Sequence, residues 1–257
     1  MTAPELVTAR DGPVLTVTFD RPHRRNALTW EMYEGVAAAI DEGERDPELR
    51  ALVLRGSGGC FAAGTDIEQF AAFRDGSDGV HYERRITALV NRLESAPLAT
   101  VAVVDGACTG AGLVLAAACD LRVASTAAVF GVPVARTLGN CLSANSCSLL
   151  SARLGPARLI DMIHRARLVG ATEMKAAGFI SEVCEPAELD AAVRDLLDVL
   201  LGHAPLTLWA TKATLQRLRL AGLPDDDDII SAVFGSADFR AGVDAFVTRQ
   251  RAQWTGQ

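Results

Sequence analysis

The chain has 257 residues, 49% of them hydrophobic, and a formal charge of −7. That length suits one large domain, or one domain with a small appendage, and the apolar fraction can fill a substantial core. The acidic balance argues against nucleic acid as a partner, no apolar run reaches the roughly 18 residues that span a bilayer, and Met1 to Arg10 lacks the basic-then-apolar pattern of a secretory leader, so the expected location is the cytoplasm.

Leu6 to Ala9 and Val14 to Phe19 alternate around Asp11-Gly12, which predicts a hairpin. Thr29 is placed to cap a helix running to about Glu44, with Met32, Val36, Ala39 and Ile40 on one face. Ala51 to Leu54 reads as a buried strand, followed by a glycine-rich loop from Gly56 to Gly64; Thr65-Asp66 then opens a helix toward Phe73. Asp75 to Gly79 reads as a polar break and His81 to Glu94 as a charged amphipathic helix. Thr100 to Val104 is another buried strand, followed by a second glycine loop and a helix from about Gly112 to Ala118. Leu121 to Ala124 and Ala128 to Phe130 read as short strands, and Pro133 to Asn145 as irregular.

Helices dominate beyond that point: Ser146 to Leu154, Pro156 to Arg165, Thr172 to Ala177, Glu188 to Leu201, Leu206 to Leu220, and Phe239 to about Trp254. The pattern predicts an α/β core over residues 1–185 and a helical region over 186–257. The aspartate run Asp225 to Asp228 reads as a solvated loop rather than a cap. The six cysteines, Cys60, Cys108, Cys119, Cys141, Cys147 and Cys184, form no C-x-x-C pair and sit mostly among apolar neighbours, as small hydrophobes do.

Two segments carry the chemistry. Cys60-Phe61-Ala62-Ala63-Gly64-Thr65-Asp66-Ile67 and Val103-Val104-Asp105-Gly106 through Gly110-Ala111-Gly112 each run from an apolar stretch into a glycine turn and then toward a helix. Glycine lets backbone approach a ligand closely, and a helix start adds partial positive charge. Two such turns can aim the N–H groups of Thr65 and Ala111 at one oxyanion. Two ordinary strand-to-helix turns are the alternative at this point.

Together with Arg21-Pro22-His23-Arg24-Arg25-Asn26-Ala27-Leu28, Ala118-Cys119-Asp120-Leu121-Arg122-Val123-Ala124, Phe130-Gly131-Val132-Pro133, Ala176-Ala177-Gly178-Phe179-Ile180 and Gly242-Val243-Asp244-Ala245-Phe246, these segments make the chain resemble the crotonase superfamily, the enoyl-CoA hydratase/isomerase family, over nearly its whole length. The resemblance implies a spiral of repeated ββα units with a C-terminal helical trimerisation region, and assembly as a homotrimer or dimer of trimers. It implies an acyl-CoA thioester as partner, with no cofactor apart from the coenzyme A of the substrate and no metal. It assigns the thioester oxygen to the Thr65 and Ala111 N–H groups. It places His23, Arg24 and Ala27 beside the coenzyme A nucleotide, and Ala63, Asp66 and Ile67 along the adenine and pantetheine path. Gly110 and Pro133 are further substrate-binding positions by the same resemblance. Arg249 and Arg251 are further candidates for the phosphates, with a charged helix face as the alternative.

The same resemblance exposes a departure. Hydratases of the family use two glutamates, and Val114 and Val134 stand at those positions. General acid–base groups contribute roughly a hundred- to ten-thousand-fold each, so ordinary hydration is not expected. Candidate replacements are Arg136, Asn140, Cys141, Ser143 and Asn145 in the rebuilt loop, and Glu68, His81, Tyr82, Glu83 and Arg84 after the first glycine loop, although His81 to Arg85 also reads as a solvent-facing helix. Asp120 reads as a turn anchor. Two readings follow: an acyl-CoA enzyme with altered proton chemistry, or a non-catalytic acyl-CoA binding protein.

Overall fold

The structure is a computed structural model that describes residues 5–257; residues 1–4, where the segment read for a leader begins, lie outside the described residues. Its strands are β1 (Leu6–Asp11), β2 (Val14–Phe19), β3 (Ala51–Gly56), β4 (Cys60–Ala63), β5 (Ala99–Val104), β6 (Ala107–Thr109), β7 (Leu121–Ser125), β8 (Val129–Gly131), β9 (Val169–Gly170) and β10 (Glu182–Cys184). They form two sheets, ordered β1-β2-β3-β5-β7-β10 and β4-β6-β8-β9. Each successive pair, β3/β4, β5/β6 and β7/β8, gives its first strand to the larger sheet and its second to the smaller one. This is the expected ββα spiral. The β1–β2 hairpin is antiparallel, and β2, β3, β5, β7 and β10 then run parallel.

A parallel sheet covered on both faces needs near-continuous apolar strands. All six residues of β5 are buried. Alternate residues serve different layers. Ala51, Val53, Val101, Val103 and Val123 meet Leu189, Ala192, Val193 and Leu197 of the helix Leu189–Leu201. Leu52, Leu54, Ala102, Val104 and Ala124 point the other way, into the main core.

The Arg21–Leu28 motif is a structural anchor. Arg25 and Asn26 both take left-handed φ, at 54° and 53°, and asparagine tolerates this better than most residues. Asn26 is fully buried. Its Oδ1 accepts from the Arg21 N–H at 2.8 Å, and its Nδ2 donates to the carbonyls of Ser57 and Cys60 at 2.9 and 2.5 Å. The turn is thereby tied to the β3–β4 connection. Backbone bonds continue the link: Leu28 N–H to Gly64 O at 2.8 Å, and Asp66 N–H to Leu28 O at 2.9 Å.

Several elements differ from the sequence expectation. The segment Asp75 to Gly79 is not a break: Asp75 caps the helix Gly76–Ser95. Glycine is tolerated there because another helix, Asp227–Phe234, crosses at close range; a Cβ on Gly79 would lie 2.3 Å from the Phe234 side chain. That second helix falls where the sequence suggested only a solvated loop before Phe239. The final helix is Ala237–Val247 and stops well short of Trp254. The predicted helix from Thr65-Asp66 is a 3-10 turn, Ile67–Ala72, with Asp66 as its cap, a common form for a short connector.

Replacing Asn26 with Ala removes three hydrogen bonds and leaves buried partners unsatisfied, which costs about 3 kcal/mol. Chemical denaturation of Asn26→Ala is expected to show a lower midpoint at unchanged slope; wild-type stability would refute the anchor role.

Candidate functional site

β4 and β6 run parallel with Ala63 opposite Thr109. The chain therefore leaves both strands at the same level, through Gly64 (φ 91°) and Gly110 (φ 53°). A Cβ on Gly110 would sit 3.5 Å from Gly64 Cα. Ala111 begins the helix Ala111–Ala118 with Gly110 as its N-cap. Gly112 lets that helix rest on β4, since a Cβ there would lie 2.3 Å from the Ala62 carbonyl. Among the described residues, neither the Thr65 nor the Ala111 N–H donates to a protein acceptor.

The side chain of Thr65 is held firmly. Its hydroxyl lies 2.6 Å from both the Tyr33 and the Tyr82 hydroxyls. Burial pushes both phenols above the usual tyrosine range, so all three groups are neutral. Next to it, Asp66 accepts from Arg21 Nη1 at 2.6 Å, and Arg21 also pairs with Glu5 at 2.7 Å. Asp66 also caps the 3-10 turn through the Glu68 N–H.

These elements enclose a cavity of about 360 Å³. Of the sequence candidates, Arg24, Ala27, Ala63, Thr65, Asp66, Ile67, Gly110, Ala111 and Pro133 line it, together with Arg25. Val114 and Val134 both face it and are buried. Tyr82, Glu83, Arg136 and Asn140 also contribute to the wall. His23 is exposed and outside the lining, as are Glu68, His81, Arg84, Arg249 and Arg251. Cys141, Ser143 and Asn145 lie behind the wall rather than on it. Asp120 accepts from the Thr100 N–H at 2.8 Å and pairs with Lys212, as a turn anchor should.

The reading of His81 to Arg85 as a solvent-facing stretch is corrected here. His81, Arg84 and Arg85 are exposed, but Tyr82 and Glu83 turn inward. Glu83 falls on the apolar stripe Val80, Glu83, Ile86, Val90, at helical spacing, and a carboxylate on such a stripe was the legible signal. It is 4% exposed. Its Oε2 accepts the Ser143 N–H at 3.1 Å. Burial raises the carboxyl to about 7; the bonds from Ser143 offset part of this, and the negative charge of Asp226 adds to it. Among the described residues, Asp66 and Glu83 are the carboxylates on the cavity wall, and of the two only Glu83 has no cationic partner. The Cys141 thiol behind it is pushed up to about 12 by burial and stays protonated.

Comparison with known proteins agrees with this architecture. The enoyl-CoA hydratase/isomerase family pattern matches residues 9–257. The YngF protein of Bacillus subtilis (strain 168) is 28% identical over 258 residues, covering 98% of each chain. The fer4 enoyl-CoA isomerase/hydratase of Mycosarcoma maydis is 28% identical over 257 residues, covering 95% of this chain and 93% of that one. The crystal structure of an enoyl-CoA hydratase/isomerase from Xanthobacter autotrophicus Py2 superposes with a TM-score of 0.86 at 27% identity, over 96% and 94% of the two chains. The chain belongs to the enoyl-CoA hydratase/isomerase family, within the crotonase superfamily.

Glu83 links stability to pH. Its folded value of about 7 lies above the ordinary 4.5, so the folded state holds a proton that the unfolded chain releases. Its contribution is fully present below about pH 4.5 and is lost as pH rises through about 7, a difference on the order of 3 kcal/mol. Glu83→Gln keeps the neutral form at every pH. Melting curves are expected to show the variant gaining on wild type between pH 5 and pH 8 (about the window of the shift); parallel curves would refute the linkage.

Proposed function

We propose that the protein is an acyl-CoA enzyme that moves a double bond within an enoyl thioester, using Glu83 as its single proton carrier. One observation carries the reading: among the described residues the cavity wall holds one carboxyl free of a cation, Glu83, and Val114 and Val134, the positions that the family resemblance gives to the hydratase glutamates, add only apolar surface to that wall. Adding water needs one group to hold and deprotonate the water and another to complete proton transfer. A 1,3-proton shift needs only one group that takes a proton and gives it back.

In this scheme the thioester oxygen sits against the Thr65 and Ala111 N–H groups. The Glu83 carboxylate removes a proton from the α-carbon of a 3-enoyl thioester. The C–H electron pair moves toward the carbonyl and gives a dienolate, whose negative oxygen the two amides stabilise; a donor of this kind contributes about 3 kcal/mol. The glutamic acid then returns the proton to the γ-carbon. The double bond now lies between the α- and β-carbons, and the carboxylate is regenerated. A carboxyl near 7 is suited to both halves, since neither protonation state is heavily favoured at neutral pH. Val114 and Val134 supply apolar wall that holds the acyl chain and keeps water from the dienolate. Arg24 and Arg25, at the cavity edge and exposed, are suited to the coenzyme A phosphates.

The proposal includes self-association as a homotrimer or dimer of trimers. Leu206, Trp209, Leu215 and Leu218 of the helix Pro205–Leu220 are exposed apolar side chains, and a second copy would cover them. Light scattering is expected to give about three or six times the 27.2 kDa chain mass; a monomer at micromolar concentration would refute the assembly.

With a 3-enoyl-CoA substrate, kcat/KM is expected to rise with pH through about 7. Glu83→Gln should lower kcat by about a hundred- to ten-thousand-fold while leaving KM largely in place. Tight binding of acyl-CoA without turnover of any enoyl thioester would instead favour a non-catalytic binding protein, and undiminished kcat in Glu83→Gln would refute the assignment of the proton carrier.

A further inference from the structure

Asp225 to Asp228 are four consecutive carboxylates that the structure sends in different directions. Asp225 Oδ1 accepts the Asp227 N–H at 3.2 Å, and Asp227 pairs with Arg84 on the surface. Asp226 turns inward and accepts the backbone N–H of Ala144. Ala144 is the first residue of the helix Ala144–Leu154, and Ser143 is its N-cap. One residue earlier, the Ser143 N–H is the donor to Glu83 Oε2 at 3.1 Å. Two carboxylates from distant parts of the chain therefore occupy adjacent amides of one helix start.

The turn has no slack elsewhere. The Ser143 hydroxyl accepts the Ser146 N–H at 3.4 Å and lies 3.2 Å from the Ser146 hydroxyl. From the other side, Arg219, ion-paired with Glu94, donates to the carbonyl and side-chain oxygens of Asn145 at 3.2 and 3.0 Å. Without Asp226, the Ala144 N–H would lose its acceptor at the residue next to the one that binds Glu83.

We propose that Asp226 is a positioning residue for Glu83: by holding the Ala144 N–H it fixes the Ser143–Ala144 turn, so that the Ser143 N–H binds one carboxyl oxygen and Oε1 is left for the cavity. The role in turnover rests on the assignment of Glu83 as proton carrier made above; the link between the two carboxylates does not.

The groups facing Glu83 are Ser143, Cys141 and Cys147 on the segment entering the helix, Tyr82 beside it with Tyr33 beyond, and Asp226 from the C-terminal side. The thiols and phenols are neutral at pH 7 because burial raises them all. Asp226 is therefore the neighbour whose charge opposes ionisation of Glu83.

Two variants separate position from charge. Asp226→Asn keeps an acceptor for the Ala144 N–H and removes the charge; Asp226→Ala removes both. Asp228→Asn, on the exposed side of the run, is the control. The readout is the NMR titration of carboxyl-labelled glutamate, with the Glu83 signal assigned by its loss in Glu83→Gln, together with the Ser143 and Ala144 amide resonances. In Asp226→Asn the Glu83 midpoint is expected to fall by about half a pH unit or more, with the two amides near their wild-type positions. The rise of kcat/KM should move to lower pH with it. In Asp226→Ala the amides should shift, and kcat should fall about tenfold at little-changed KM. The proposal is overturned if both variants are folded and leave the Glu83 midpoint and the two amides unchanged. Full isomerase activity in Glu83→Gln would sink the functional reading alone, and the titration would still decide the Asp226–Glu83 link.

Discussion

The site depends on one pairing, β4 against β6 in parallel register with Ala63 opposite Thr109. Parallel strands that end at the same level must send their connections out on the same side. The two glycines that follow let those connections nearly touch. A slip of one residue would turn every side chain on the strand over and separate the free amides of Thr65 and Ala111. Much of the surrounding structure secures this register. The buried Asn26 ties the Arg21 turn to the β3–β4 connection, Leu28 bridges across Gly64 and Asp66, and the Arg21–Asp66 pair closes the gap behind them.

The second constraint is the cost of a buried carboxyl. Glu83 has lost nearly all its water, and one hydrogen-bonded amide with a neighbouring hydroxyl does not replace a hydration shell. It therefore holds its proton to about neutrality. Asp66 on the same wall has different partners. Its oxygens accept from Arg21 and from a backbone N–H, which makes it a fastening for the turn. Two carboxylates in one cavity thus play different parts, and the difference lies in their partners rather than in their chemical type.

How far this was legible in the sequence depends on whether a signal was local. The glycine turns, the β1–β2 hairpin, the Thr29-capped helix and the buried strands at 51–54 and 100–104 could be read because each depends on neighbouring residues. Val114 and Val134 were equally plain as cavity residues, because they stand in well-marked motifs, and both line the cavity. The helix Asp227–Phe234 was not legible, because its acidic start resembles a solvated loop until the partners of Asp226 and Asp227 are known. Gly76 and Gly79 pointed to a break, since their place in a helix makes sense only once Ser231 and Phe234 are packed against them. Glu83 stood among charged neighbours on a helix with two faces. The spacing to Val80 and Ile86 placed it on the inner face, but only the fold shows that this face borders a cavity.

On the proposed function, apolar side chains at Val114 and Val134 need not abolish chemistry. A cavity that loses two carboxylates becomes drier, and each remaining electrostatic interaction gains strength. On that reading, a dry cavity in which one of two carboxyls is fastened to Arg21 and the other, Glu83, has no cation among the described residues is poor for activating water and well matched to shuttling a proton between two carbons of one bound substrate. Burial keeps the Glu83 carboxyl near neutrality, where, in the proposed reaction, a returned proton costs little more than a removed one. A glutamate in place of either valine would add a further carboxyl to the wall that Glu83 shares, and with it charge and water. In the proposed reaction the proton chemistry is therefore a property of the cavity wall as a whole rather than of one position in it.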